Sequence, residues 1–593
     1  MYILGISCFY HESAAALLKD GQVIAASAEE RFSRKKHDSD FPIRAIDFCL
    51  KKASILAADL DYVVFYEKPF WKFVRILLTT LASYPQAYRL FAKAMITWLA
   101  DKLWVRSIIA EEIDIDRQKI LFVPHHISHA ASAFYASGFT TSAILTFDGV
   151  GEWTTATIGK GDDLNLEITK EIKFPHSLGL LYSVFTAFLG FEVNDGEYKV
   201  MGMAPYGQPK YLDKVKKLVR NFADGSFSLN MEYFTYHKSA EYAYGSKFVD
   251  LFGEARPRDL HFFTKTSGYP SYFGEKPRNY NELCELNQKY ADIAASIQAF
   301  TEEVILKLAQ TVYQETKMEN LCIAGGVGLN SVANGLLLRK GPFKRIFVQP
   351  AAGDDGGSLG AALYIYHAIL GKKRRFIQDN CYFGADFSDG QIEKFLKSQR
   401  VKYQKMMEEK LIDFLASEIA HGKVVGFFSD RAEWGPRALG ARSILADPRR
   451  EEMKEIVNTK IKFREPYRPF APVVLAERAS DYFEVEGLNH QYLTNFMLGV
   501  FPVKKEKRKV IPAITHVDGT GRLQIITQTQ NRRYYNLVKR FGEKTGVYVL
   551  LNTSFNLKGE PIVNSPADAF NTFSKSGLDI LVLERYVILK EDI

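Results

Sequence analysis

Apolar and polar residues alternate along the first thirty positions, where YILGIS and AAALLKDGQVIAASA predict two strands joined at the Lys19-Asp20-Gly21 turn. The signal returns in AILTFDGVGEWTTATIGKGDD as strand, Asp-Gly turn and strand. In LCIAGGVGLNSVANGLLL a strand runs into Gly325-Gly326 and then a helix, and QPAAGDDGGSLGA reads as a strand end with a DDGG turn opening another helix. Later, EKLIDFLASEIAHGKVVGFFSD is an amphipathic helix, a glycine turn and a buried strand. Strands and helices in alternation predict an α/β protein. Between Phe70 and Leu103 the period is helical instead, in KFVRILLTTLAS and YRLFAKAMITWLADKL, with Trp71, Trp98 and Trp104 among the apolar residues. Lys72, Arg75, Arg89, Lys93, Lys102 and Pro85 interrupt that stretch, so no run of about 20 apolar residues spans a membrane. A helical insertion at about 70–115 is expected, packed on the main domain, with a membrane-surface or acceptor-binding platform as the alternative.

At 593 residues, two large domains are expected. The short basic stretch GKKRRF, Gly371 to Phe376, sets the boundary, giving domains 1–372 and 373–593. Hydrophobic residues at 47% and charged residues at 25% fit an ordinary globular protein, and a net charge of +8 over this length is too thin to imply nucleic acid. Five scattered cysteines without a CxxC pattern argue for reduced thiols. MYILGISCF lacks the basic start and cleavage site of a signal peptide, so a cytoplasmic location is expected.

Candidate chemistry concentrates in PHHISHAASAFYASGFTTSAILTFDGVGE. His125 and His129 are four apart on a helix starting after Pro124, so they face one way. Asp148 ends a strand and enters a glycine turn, the place where α/β folds put ligands. Two imidazoles and a carboxylate suit iron, manganese or zinc, and the absence of the HExxH glutamate argues against peptide cleavage. Asp354 or Asp355, at another strand end and helix start, offers a fourth ligand. In the second domain, Arg431, Arg437, Arg442, Lys460, Lys462, Arg464 and Arg468 sit among Gly and Pro in RAEWGPRALGARSILADPR and NTKIKFREPYRPFAP, where guanidinium forks can hold phosphate. THVDGTGRLQ adds Arg522, and LNTSFNLKGEPIV adds the amide Asn552 and the hydroxyl Ser554.

HHISHAASAF, FDGVGEW, GEYKVMGMAPYG, AGGVGLN and GDDGGSLGAA, in this order, resemble the bacterial O-carbamoyltransferases that act on nodulation factors, cephalosporins and tobramycin. The resemblance covers essentially the whole chain. It implies an N-terminal actin-like, sugar-kinase-like ATPase fold, similar to the tRNA threonylcarbamoyl transferase, fused to a C-terminal α/β domain resembling threonylcarbamoyl-AMP synthase. By position it makes His125, His129, Asp148 and Asp354 the metal ligands, iron first, and leaves His126 outside the set. Asp354 is preferred to Asp355 because the related enzymes carry a ligand Asp two residues before a glycine. It implies that carbamoyl phosphate and ATP give carbamoyl-adenylate and pyrophosphate at Arg437, Lys462, Arg468, Arg522 and Ser554. The adenosine then lies by Gly325, Gly326 and Asn330 while the carbamoyl group passes to a hydroxyl of a small-molecule or glycan acceptor. His11, His37, Asp38 and a metal-bound oxygen are candidates for the acceptor's proton, and Lys35 or Lys36 for a phosphate contact. The family usually has Gln-Gly before the arginine where this chain has Ser429-Asp430. Magnesium with the nucleotide and a homodimer complete the expectations. The rival readings are a tRNA threonylcarbamoyl transferase-like enzyme and a non-catalytic nucleotide-binding regulator.

Overall fold

The alternating residues at the start of the chain form three strands in the computed structural model, which describes residues 1–100, 102–239 and 241–593, without the side chains of 97, 99 and 100. Strand β1 (Tyr2–Ser7) pairs antiparallel with β2 (Ala14–Lys19), and β2 with β3 (Gln22–Ala28). The expected first strand is thus split by the segment that carries His11. On the other side of β1 lie β4 (Tyr62–Phe65) and β5 (Ile120–Phe122), both parallel, giving the order β3-β2-β1-β4-β5.

The same design recurs. Strands β6 (Thr141–Phe147), β7 (Thr154–Asp162) and β8 (Asn165–Lys173) form an antiparallel meander, and β9 (Asn320–Ala324) and β10 (Arg345–Val348) extend it in parallel beyond β6. The order β8-β7-β6-β9-β10 repeats that of the first sheet position by position. Two five-stranded sheets of this topology are the actin-like architecture. Three helices, Pro69–Ala82, Tyr88–Ala100 and Val105–Ile113, fill the crossover from β4 to β5 where the helical insertion is expected. The expected second insertion segment also takes in residue 101, outside the described residues.

The core of this half is apolar strand and small-residue helix. Helix His125–Phe134 is buried along nearly its whole length, and helix Asp354–Tyr364 lies against it. They pack at a distance only glycine allows: a Cβ at Gly360 would stand 1.8 Å from the Ser128 carbonyl oxygen.

By contacts the chain divides into two units. One comprises Met1–Glu29, Ser39–Gly268 and Pro277–Ile377; the other comprises Glu30–Asp38, Tyr269–Lys276 and Gln378–Ile593. The second unit is built on a nine-stranded mixed sheet in the order Gln404–Lys405, Tyr586–Leu589, Ile580–Leu583, Val425–Phe428, Arg442–Ala446, Val549–Ser554, Ala471–Leu475, Thr520–Ile526, Gly499–Pro502. Segment Glu30–Asp38 belongs to it because Arg31 donates to the Gly435 carbonyl (2.8 Å) and Arg34 to the carbonyls of Pro561 (2.8 Å) and Ile562 (2.7 Å). Among the described residues, no helix is long and apolar enough to cross a membrane.

Candidate metal centre and cation cluster

Helix His125–Phe134 begins at Pro124, and the Glu152 carboxylate accepts the His125 amide (3.0 Å) and the Lys68 amide (2.8 Å), so an acid caps its positive end. One turn apart, His125 and His129 bring their Nε2 atoms to 3.1 Å, with both rings buried. Asp148, just past β6, places Oδ2 3.0 Å from His125 Nε2, and its Oδ1 accepts the Gly326 amide at 3.2 Å. Asp354, in the first turn of its helix, lies 3.7 Å from His125 Nε2 and 3.6 Å from His129 Nε2. One atom from each of the four falls within 4.8 Å of the others.

That set fits a divalent metal. At metal–ligand distances of about 2.1 Å, adjacent ligand atoms stand roughly 3.0 to 3.4 Å apart. Two imidazole nitrogens facing each other cannot both donate, and both Nδ1 atoms are buried without a hydrogen-bond partner among the described residues. Converging lone pairs of this kind suit a cation. Burial opposes charge on His125, but the bond to Asp148 and the field of Asp354 outweigh it and push the imidazole up to about 9. Burial likewise opposes ionisation of Asp148, yet its bond to His125 holds the carboxyl well below the usual range. His126 points elsewhere: Nδ1 meets Thr146 Oγ1 at 2.6 Å and Nε2 donates to the Thr154 carbonyl at 2.9 Å. Burial, then the neighbouring histidines, lower it to about 3, so it is a neutral bracket between helix and strand. Asp355 Oδ1 accepts its neighbour's amide at Gly356 (2.9 Å).

Around this set stand residues to which the sequence pattern assigns no part in the site. The Tyr66 hydroxyl donates to Asp354 Oδ2 at 3.4 Å. Glu67 Oε2 lies 3.9 Å from His125 Nδ1 and pairs with Lys72 at 2.6 Å, both side chains buried. Lys72 also lies 4.0 Å over the Tyr10 ring, and Arg75 donates to the Gly151 carbonyl at 3.1 Å. In sequence Lys72 and Arg75 only interrupt an apolar helical stretch; the structure turns both inward. An acid at a strand end followed five residues later by a lysine was the available signal.

Gly325 has φ +91°, and a Cβ there would lie 2.1 Å from the Phe147 carbonyl oxygen. The double-glycine turn therefore presses against Asp148, which spends the Gly326 amide on the metal side. Asn330 caps helix Ser331–Lys340 by accepting the Ala333 amide (3.1 Å), and its Nδ2 donates to Gln298 Oε1 at 3.0 Å. His11 is half-buried, its Nδ1 3.8 Å from Glu12 Oε1.

In the second unit the expected basic residues part company. Arg442 is buried and donates to the carbonyls of Ser429, Asp430, Ala441 and Ala385, and Arg431 to those of Gly384 and Phe383. These two hold backbone, correcting their expected part in a phosphate site, and Lys460 is exposed. The rest gather. Lys462 is buried, donating to the Ser554 carbonyl (2.7 Å), Ser554 Oγ (3.2 Å) and Asn556 Oδ1 (2.5 Å). Burial, then Arg464, Arg468 and, more weakly, Lys36, depress its amine well below the ordinary value. Burial, then Arg437, Arg464 and Arg468, do the same to Arg522. So Lys36 and the basic residues of NTKIKFREPYRPFAP act on one another, with Glu465 3.5 Å from Arg468 and Glu560 nearby. The loop carrying Arg437 is folded over Glu433, whose Oε1 accepts the amides of Leu439 (2.7 Å), Ala441 (2.7 Å) and Arg442 (3.1 Å). Asn552 donates to the Ala438 carbonyl at 3.1 Å, beside Arg437. His37 and Lys35 share the segment of Lys36; the His37 amide donates to Glu30 Oε2 (3.0 Å), and Lys35 lies 3.5 Å from Asp38.

Known proteins resemble this chain end to end. The profile described as Carbamoyltransferase N-terminus matches residues 2–363, and that described as Carbamoyltransferase C-terminus matches 416–590. An uncharacterised protein of Synechocystis is 46% identical over 99% of this chain and 97% of its own. Nodulation protein NolNO of Sinorhizobium fredii is 37% identical over 98% of this chain and 79% of its own. Among solved structures, the activator of 2-hydroxyisocaproyl-CoA dehydratase from Clostridium difficile, with bound ADPNP, aligns with 62% of this chain and 94% of its own at 15% identity and TM-score 0.30, too slight a likeness to add to the sheet topology.

Proposed function

The chain belongs to the carbamoyltransferase family, and from that premise we propose that it transfers a carbamoyl group from carbamoyl phosphate, through carbamoyl-adenylate, to a hydroxyl of a small-molecule or glycan acceptor. The observation that carries this reading is the cation cluster of the second unit. Placing Lys462 and Arg522 where burial and like charges both depress them costs stability unless a polyanion fills the space. An actin-like ATPase fold has no need of such a cluster; an adenylating centre has.

In that centre water releases phosphate from carbamoyl phosphate, leaving carbamate. A carbamate oxygen attacks the α-phosphorus of ATP, the bond to the β-phosphate oxygen breaks, and carbamoyl-adenylate and pyrophosphate form. Arg437, Arg468 and Arg522 offset charge on the phosphates, and Lys462, held by Ser554 and Asn556, adds its buried amine to that cluster. Asn552 positions the Arg437 loop through the Ala438 carbonyl. Lys36 and His37 add charge and a proton donor from the N-terminal segment.

In the first unit Gly325, Gly326 and Asn330 shape the turn that receives the adenosine. His125, His129, Asp148 and Asp354 would hold iron, manganese or zinc, which supplies Lewis-acid polarisation to the group bound there. His11 takes the acceptor's proton as its oxygen attacks the carbamoyl carbon, the bond to AMP breaks, and AMP departs. Metal analysis of the purified protein, with pyrophosphate release from ATP on adding carbamoyl phosphate, tests the scheme. A nucleotide-binding regulator would bind ATP and release no pyrophosphate.

A further inference from the structure

Helix Pro69–Ala82 is built inside out. Its inward arc carries Lys72, Arg75 and Thr80, all buried, and the opposite arc, about 100° wide by helical geometry, carries Phe70, Trp71, Val74, Leu78 and Leu81. Phe70, Trp71, Leu78 and Leu81 are 65%, 54%, 49% and 57% exposed. The inward charges have partners, Glu67 for Lys72 and the Gly151 carbonyl for Arg75, so the inversion is locked by buried polar contacts. Helix Tyr88–Ala100 packs beside it, with Phe73 and Trp98 rings 6.1 Å apart. It turns Tyr88, Arg89, Lys93 and Ile96 outward on one arc, and Tyr84 and Trp104 stand exposed at its two ends.

Charge decides what covers this face. From Lys68 to Arg106 the sequence has seven basic residues and one acidic. Two of the seven, Lys72 and Arg75, are buried, and Arg89 and Lys93 are exposed on the outward arc of the second helix. A second copy of this chain would set those cations against their own counterparts across a two-fold axis. A lipid surface takes the aromatic and aliphatic side chains at the headgroup level and matches the cations with anionic headgroups. No helix among the described residues is long and apolar enough to span, which leaves lying on the surface. We infer that the outward face of the helix pair Pro69–Ala82 and Tyr88–Ala100 docks the protein on an anionic membrane.

The test is flotation of the full chain with vesicles of phosphatidylcholine alone and of phosphatidylcholine with about a third phosphatidylglycerol, at low and high salt. The wild type is expected to float with the anionic vesicles and less with the neutral ones. Trp71→Ser/Leu78→Ser/Leu81→Ser should weaken partition on the order of tenfold or more. Arg89→Glu/Lys93→Glu, which alters only exposed side chains, should weaken it by about fivefold or more per charge and abolish the preference for phosphatidylglycerol. An unchanged thermal midpoint and metal content show that each variant is folded. Failure of the wild type to float, or flotation of both variants like the wild type, overturns the inference. So does a dimer in analytical ultracentrifugation that the triple serine variant dissociates, which would assign the face to a second copy.

Discussion

With His125 and His129 one turn apart and facing Asp148 and Asp354, the ligand set predicts that His129→Ala loses the copurifying metal and carbamoyl transfer, while pyrophosphate chemistry in the other unit survives; metal analysis beside both assays checks this. His125 and His129 could be read from their spacing because a helix period is a local property, and Asp148 because a strand ending in Asp-Gly is one too. Glu67 and Lys72 could not, since a buried ion pair is made by tertiary packing. Gly325→Ala should cost about 2 kcal/mol or more, because φ +91° and a Cβ 2.1 Å from the Phe147 oxygen both oppose it. Denaturant unfolding measures that loss. At Lys462 the sign of a pH effect follows from its lowered folded value. Below its ordinary 10.5 the unfolded chain holds that proton more tightly than the folded one. Stability therefore rises with pH from the depressed folded value up to that point. Lys462→Met should flatten the rise, and phosphate, by favouring the ammonium, should flatten it in the wild type. Thermal midpoints against pH, with and without phosphate, read both.

Among elements, the insertion helix is fixed from within. Glu67, just past β4, and Lys72 on helix Pro69–Ala82 form one buried pair, so Glu67→Gln leaves an ammonium buried without its counter-ion and should cost about 3 to 5 kcal/mol. Glu67→Gln/Lys72→Met removes both charges and should recover most of it; if the double variant is as unstable as the single, the pair does not anchor the helix. Strand and turn positions were legible here: the Asp-Gly hairpin of β6 and β7, the double glycine after β9 and the helix after Gly353 all follow from local chemistry. The duplication of the sheets was hidden, because β3-β2-β1-β4-β5 and β8-β7-β6-β9-β10 share connectivity and little else: helix Ile43–Ala53 precedes β4, whereas the 37-residue helix Tyr280–Thr316 precedes β9. Glu30–Asp38 joins the second unit through Arg31 and Arg34, whose carbonyl partners lie some four and five hundred residues away in sequence, beyond any local signal.

For the whole molecule, the proposed scheme forms adenylate in the second unit and transfers the carbamoyl group in the first. One charge-assisted contact to a buried phosphate is worth about 1.5 to 3 kcal/mol, so Lys462→Ala should lower activation by roughly one to two orders of magnitude. Exchange of radiolabelled pyrophosphate into ATP tests this without knowledge of the acceptor, since it needs only reversible formation of carbamoyl-adenylate. Exchange should depend on carbamoyl phosphate in the wild type, persist in His129→Ala and collapse in Lys462→Ala. Exchange that ignores carbamoyl phosphate, or that Lys462→Ala leaves intact, would overturn the proposed adenylating role of the second unit.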